Sequence, residues 1–316
     1  MSAVGTARHF LRDDDLTPAE QAIILDLAAQ MRADRFAHRP LAGPRTVALL
    51  FDKPSTRTRI SFAVGVTDLG GSPLTVDAQT THLGRGEPIE DVARVFDRQC
   101  AAIVWRTFAQ DNLEAMAAAS TVPVINALSD TFHPCQILAD LETIRQRLGS
   151  LSGRTLAFIG DGSANTAHSS LLGGALAGMH VRLATPVAYQ PEPAILARAR
   201  QIAATTGGSV EVLADPIAAA KDADALATDV WTAMGQEAEH EQRLAALRPF
   251  GIDSHLLSHA AAAAIVLHCL PAHRGAEITA EVIDGPHSAV WDQAENRRHV
   301  QKALLAFLLE EGERRR

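Results

Sequence analysis

The feature that most constrains the fold is an alternation. Short apolar runs at residues 47–51, 74–76, 102–105, 124–126, 156–159, 181–184, 225–228 and 265–268 are separated, for the most part, by stretches with helical apolar spacing. Apolar runs of that length, bounded by polar loops, suit strands covered on both faces, and the longer periodic stretches suit the helices that cover them. Strand and helix in turn predict parallel sheets, hence an α/β fold of two doubly wound parallel-sheet domains joined by interdomain helices. At 316 residues, 47% hydrophobic and 21% charged, the chain is globular in composition and long enough for two domains. A helical stretch at 137–148 stops at Gly149, and a fresh strand–helix series starts at Arg154. The expected domains are therefore 1–148 and 149–294, with a helix over 295–316 packing back on the first.

Local signals refine this picture. Thr17-Pro18-Ala19-Glu20 reads as a capping box with proline at the first helical position. Ile23, Leu27 and Met31 follow at four-residue spacing and predict one buried face. After the run at 47–51 comes the polar DKPSTRTR, then a helical pattern of Ile60, Phe62, Ala63, Val66 and Leu69, stopped by Gly70-Gly71. Val300, Leu304, Phe307 and Leu308 predict an amphipathic helix near the carboxyl end.

Several function classes fall away. A net charge of −8 argues against nucleic acid as a main partner, leaving room for a local basic pocket. Cys100, Cys135 and Cys269 are too scattered for a disulfide framework and fit reduced thiols in a cytoplasmic enzyme. The opening residues carry no apolar signal-peptide core, and the longest wholly apolar run, 260–267, is too short to cross a bilayer. No G-x-x-x-x-G-K-S/T phosphate loop and no G-x-S-x-G nucleophile turn occurs.

The candidate chemistry sits between strands and helices. Ser55-Thr56-Arg57-Thr58-Arg59 places hydroxyls and guanidinium groups at a helix amino end, where unpaired N–H groups and the macrodipole favour an anion such as phosphate. The same residues also suit a plain N-cap on a solvated turn. Arg106 follows a strand at the end where α/β sheets bind ligands. His133-Pro134-Cys135-Gln136 places a hydrogen-bond donor and an amide at another helix start. A metal role for His133 and Cys135 lacks further ligands at usual spacing, so no metal is expected. Gly160-Asp161-Gly162-Ser163-Ala164-Asn165 has the outline of a dinucleotide turn. Asn165 replaces the third glycine, however, and Ala184-Thr185 offers no acid for a ribose. Asp229, after the run at 225–228, suits an ammonium group or a helix cap. Cys269, in His268-Cys269-Leu270-Pro271, fits either a buried structural thiol or a reactive thiolate.

In order along the chain, Ser55-Thr56-Arg57-Thr58-Arg59, Arg106, His133-Pro134-x-Gln136, Asp229-x-Trp231-x-x-Met234-Gly235, His268-Cys269-Leu270-Pro271 and Asp292-Gln293-Ala294-Glu295-Asn296-Arg297 resemble the aspartate/ornithine carbamoyltransferase family. Two of these segments, those at 229–235 and 268–271, are similar to its ornithine branch. The resemblance implies transfer of a carbamoyl group from carbamoyl phosphate to the side-chain amine of L-ornithine, giving L-citrulline and phosphate, in arginine metabolism. It implies a carbamoyl phosphate site of Ser55, Thr56, Arg57, Thr58, His82, Arg106, His133, Pro134, Cys135, Gln136, Cys269, Leu270 and Arg297. It implies an ornithine site of Asn165, Asp229, Ala233, Met234 and Cys269, with chemistry on Arg57, Arg106, His133, Asp229 and Cys269. No cofactor is implied. A cytoplasmic homotrimer is implied, with His82 reaching a neighbouring subunit's site. Ala164 and Ala233 stand where the ornithine branch usually has asparagine and serine. Lysine, putrescine or an N-acylornithine thus stays open as acceptor, as does a non-catalytic ligand-binding member of the fold.

Overall fold

The computed structural model describes residues 7–77, 81–232 and 239–314. The chain divides into two compact units, 1–139 with 295–316, and 140–294. The sequence reading places the first division after the connecting helix, at 148/149, whereas the units divide within it.

The first unit holds a parallel sheet of β1 (Thr46–Phe51), β2 (Ser72–Asp77), β3 (Ala102–Arg106) and β4 (Val124–Leu128), in the order β2-β1-β3-β4. Its helices are α1 (Pro18–Ala33), α2 (Arg57–Asp68), α3 (Ile89–Gln99), α4 (Gln110–Ala119) and the start of α5 (Pro134–Leu148). Central strands β1, β3 and β4 are almost wholly buried, as their unbroken apolar runs require. Each fully buried Val, Leu or Ile there contributes roughly 1.5–3 kcal/mol relative to exposure. At the sheet edge, β2 is largely exposed. One core cluster joins Ala48, Leu50, Ile103, Trp105, Leu113, Met116 and Val124.

The second unit holds β5 (Thr155–Ile159), β6 (His180–Ala184), β7 (Ser209–Leu213), β8 (Ala225–Thr228) and β9 (Ile265–His268), all parallel, in the order β7-β6-β5-β8-β9. Around it run α6 (Asn165–Leu176), α7 (Pro193–Thr206), α8 (Pro216–Ala220), α9 (His240–Leu247), α10 (Ser254–Leu257), α11 (Ala280–Ile283) and the start of α12 (Val290–Arg314). The α/β expectation therefore holds, with corrections. β7 was not expected: as an edge strand, it alternates Val210 and Val212 with Glu211 instead of forming an apolar run. The capping box at Thr17 is present, its hydroxyl accepting from the Glu20 N–H at 3.2 Å. The buried face of α1, however, is Gln21, Ile24, Leu25, Ala28 and Met31, and Ile23 is exposed. α12 is less amphipathic than expected, because Gln301 and Lys302 are buried beside Val300, Leu304 and Leu308. Lys302 is tolerated there because its ammonium donates to the Arg35 carbonyl at 2.6 Å and lies 3.4 Å from the Asp68 carboxylate.

Each strand order reverses once, between β1 and β3 and between β5 and β8. Open parallel sheets bind ligands beyond the carboxyl ends of the strands that flank such a reversal. Both expected clusters of site residues lie at these two places.

Candidate active site

In the first unit, the backbone stitches the loops beyond β1, β3 and β4 together. The Asp52 N–H donates to the Arg106 carbonyl at 2.9 Å, Thr107 to Leu128 at 3.0 Å, and Asp130 to Phe108 at 2.7 Å. The β3–β4 register shifts between Trp105 and Arg106, a bulge that re-aims the side chain leaving the strand. A concavity of about 530 Å³ is lined by residues that include Asp52, Lys53, Ser55, Thr56 and Arg59. α2 starts at Arg57, and its N-cap Thr56 makes no side-chain cap bond, which leaves the helix's amino end open to an anion.

Behind this opening the polar groups are buried and converge. Thr58 accepts a 2.7 Å hydrogen bond from the Arg297 guanidinium, which α12 carries into the first unit. His133 is 3% exposed. Burial, then the nearby Arg297 and Arg106 charges, push its pKa well below the usual histidine value. The imidazole is therefore neutral at physiological pH and can donate from only one ring nitrogen. Gln136 is buried one position into the same turn, its N–H donating to the His133 carbonyl at 3.0 Å. The Cys135 side chain turns inward, its thiol donating to the Asn126 carbonyl at 3.4 Å, and burial pushes it up to about 12. What Cys135 can offer a ligand is its backbone N–H in the first turn of α5, beside Pro134. Arg59 stacks on the Phe51 ring at 4.4 Å. His82 is exposed, 3.8 Å from the Glu87 carboxylate, and none of its described contacts joins it to this cluster.

In the second unit, a carboxylate organises the crevice. Asp229, just past β8, accepts from the Thr166 hydroxyl at 3.0 Å, from the Val230 N–H at 2.8 Å and from the Cys269 thiol at 3.0 Å. Asn165 opens α6 beside Thr166, after an N-cap Ala164 that has no side-chain acceptor. Ala233 and Met234 lie outside the described residues.

The turn from β5 to α6 is held from within. The Gly162 N–H donates to Thr185, and a Cβ on Gly162 would come 2.7 Å from the Tyr189 carbonyl. Asp161 is buried against Arg243 at 2.6 Å, so this acid braces the loop. The side chain of Thr185 donates in turn to Tyr189, so the position where a dinucleotide enzyme keeps a ribose-binding acid belongs to the turn itself.

After β9, Leu270 adopts φ 59°, a left-handed conformation that a branched L-residue holds only when its surroundings impose it. His268 imposes it here, because its Nδ1 accepts from the Leu270 N–H at 2.9 Å. That bond leaves the proton on Nε2, which donates to buried Glu277 at 3.1 Å. Metal-capable atoms of Asp229, His268 and Cys269 lie within 4.8 Å of one another. Both His268 nitrogens are engaged and Cys269 is bonded to Asp229, so the donor set fits a hydrogen-bond network better than a metal site. Sequence reasoning missed Glu277 and the brace Asp161–Arg243, whose partners are remote in sequence.

The fold is thus a pair of parallel-sheet α/β domains, each with a polar cluster beyond its reversal point, the first rich in guanidinium groups and the second centred on a carboxylate. The chain belongs to the aspartate/ornithine carbamoyltransferase family. That family's carbamoyl-P binding domain matches residues 8–146, and its Asp/Orn binding domain matches residues 152–308. The ornithine carbamoyltransferase of Clavibacter sepedonicus is 61% identical over 305 residues, covering 96% of this chain and 99% of that protein. The ornithine carbamoyltransferase of Acidothermus cellulolyticus is 61% identical over 303 residues, covering 96% and 97%. The ornithine carbamoyltransferase structure from Pyrococcus furiosus superposes with a TM-score of 0.92 at 46% identity, covering 96% of this chain and 98% of that one.

Proposed function

We infer that the chain catalyses carbamoyl phosphate + L-ornithine → L-citrulline + phosphate. The observation that carries this reading is the first crevice, where Arg297, Arg106, neutral His133 and Thr58 gather beside the amino end of α2. Arg57, Ser55, Thr56 and Thr58 hold the phosphate with Arg106 and Arg297. A guanidinium matches phosphate in geometry as well as charge. Arg106 and the neutral His133 donate to the carbamoyl oxygen as it gains negative charge. Pre-positioned donors of this kind each lower the barrier by about 2.7–4 kcal/mol. Gln136 orients the carbamoyl amide.

The second unit takes the amino acid. Asn165 and the open end of α6 suit the acceptor's α-substituents, and Asp229 with Cys269 suits its side-chain amine. An ammonium with an ordinary pKa of about 10.4 cannot attack, so the amine must first give up a proton. We assign that step to the Asp229 carboxylate, and a desolvated crevice lowers the amine's pKa. The free amine then adds to the carbamoyl carbon, the carbon–oxygen bond to phosphate breaks, phosphate leaves with the electron pair and takes the second proton, which the attacking nitrogen sheds, and Asp229 releases the first to solvent.

We further propose a homotrimer in the cytoplasm acting in arginine biosynthesis, with exposed His82 completing a neighbouring subunit's site. Exposed Ile60 and Leu74 in the first unit suit such an interface. No helix among the described residues is long and apolar enough to cross a membrane. The test is product formation from carbamoyl phosphate across ornithine, lysine, putrescine and N-acetylornithine. Citrulline and equimolar phosphate from ornithine, at the highest kcat/KM of the panel, are expected. A different preferred amine overturns the assignment of acceptor, and no phosphate release with any amine overturns catalysis. Light scattering at assay concentration tests the trimer.

A further inference from the structure

We propose that Lys53 is a positioning residue that clamps together the three loops carrying the anion-binding groups. The inference rests on the proposed function for the identity of the anion, and on geometry for the clamp. Ser55, Thr56 and Arg57 follow β1, Arg106 ends β3, and His133 follows β4. Lys53 lies at the root of the first loop, and its ammonium reaches the other two. It is ion-paired with the carboxylate of Asp130, three residues before His133. It also lies 4.2 Å from the centroid of the Phe108 ring, two residues after Arg106. The backbone joins neighbouring loops in pairs, β1 to β3 through the Asp52 to Arg106 hydrogen bond and β3 to β4 through the Thr107 to Leu128 and Asp130 to Phe108 hydrogen bonds. What those bonds do not supply is a direct tie from the β1 loop to the β4 loop, and the Lys53 side chain provides it by reaching Asp130.

The burial of the pair shows which way the dependence runs. Lys53 is 6% exposed, whereas Asp130 is 58% exposed. A buried ammonium needs its carboxylate and its aromatic face. The carboxylate, standing in water, loses little without the ammonium, so removing Lys53 leaves no buried charge behind. The pair's effect therefore falls on where the loops stand, and small misplacements of binding groups are costly to turnover.

The experiment compares the full-length enzyme with Lys53→Met, Asp130→Asn, the double variant and Lys53→Arg. It measures KM for carbamoyl phosphate, kcat, inorganic phosphate affinity by calorimetry, and thermal unfolding. Both Lys53→Met and Asp130→Asn should raise KM and weaken phosphate binding by about tenfold, and the double variant should be no worse than either alone. Lys53→Arg, which keeps charge and stacking, should recover most of the loss. If Lys53 instead touched the anion itself, Asp130→Asn would leave phosphate binding unchanged or tighter, and that result overturns the clamp. Additive losses overturn it too. Should Lys53→Met fail to fold, Asp130→Asn, at an exposed carboxylate, decides the question by itself. If the parent enzyme bound phosphate but made no citrulline, the reaction assignment would fall while the phosphate titrations still tested Lys53.

Discussion

The two crevices occupy equivalent places, each beyond the strands where its sheet order reverses, yet they are built with opposite polarity. The first gathers guanidinium groups and a helix amino end around a histidine whose pKa is held well below the usual value by burial and by Arg297 and Arg106. The second gathers a hydroxyl, a thiol and a backbone N–H around one carboxylate. The contrast teaches that the fold supplies location while the loop residues supply sign. An anionic donor and a cationic acceptor each need the complement of their own charge.

The sharpest way to break this comparison is to remove charge from one crevice and ask whether the other notices. Arg57→Ala should lower kcat/KM about 1,000-fold and abolish detectable phosphate binding, with the unfolding transition retained. Near-normal turnover in steady-state assays would remove the anion role. Asp229→Asn should lower kcat about 100-fold while calorimetric phosphate affinity stays at the parent value. A matching loss of phosphate affinity would show that the crevices are not chemically separate. Cys269→Ala, which deletes one donor to Asp229, should weaken ornithine use about tenfold and spare carbamoyl phosphate. Equal losses for both reactants would contradict its placement.

A smaller effect comes from pH. Burial holds His133 well below 6.5, and lowers His9 and His299 as well. The unfolded chain therefore binds more protons than the native one once pH drops below about 6.5, so stability falls with acid through that range. The urea midpoint should drop between pH 7.5 and pH 5.5, and a His133→Gln variant should lose part of that slope. Cys135 gives the opposite sign, since its thiol is held near 12 against an ordinary 9.0. Its contribution is intact below pH 9 and fades above it. Iodoacetamide mapping at pH 8 should accordingly label half-buried Cys269 and leave buried Cys135 and Cys100 protected.

Much of this was legible in the sequence, for a local reason. Strand, loop and helix are short-range patterns, so Ser55 to Thr58, Arg106, His133, Asp229 and Cys269 can be set at the carboxyl ends of strands from the pattern, whereas their roles come only from the family resemblance. What stayed hidden depends on partners far along the chain. Nothing near Asp161 announces Arg243, and nothing near Lys53 announces Asp130 or Phe108. The left-handed Leu270 is invisible until His268 and Glu277 are seen to lock it. β7 escaped because an edge strand need not be continuously apolar, and Ile23 misled because α1 buries a neighbouring stripe that includes Gln21.

The first unit is built from residues 1–139 and 295–316, and Arg297 reaches Thr58 from the later segment. On a ribosome, the whole second unit is made between those two pieces. A nascent chain thus carries Thr58 long before the Arg297 guanidinium that seats on it, so the first unit closes only after the second has been made.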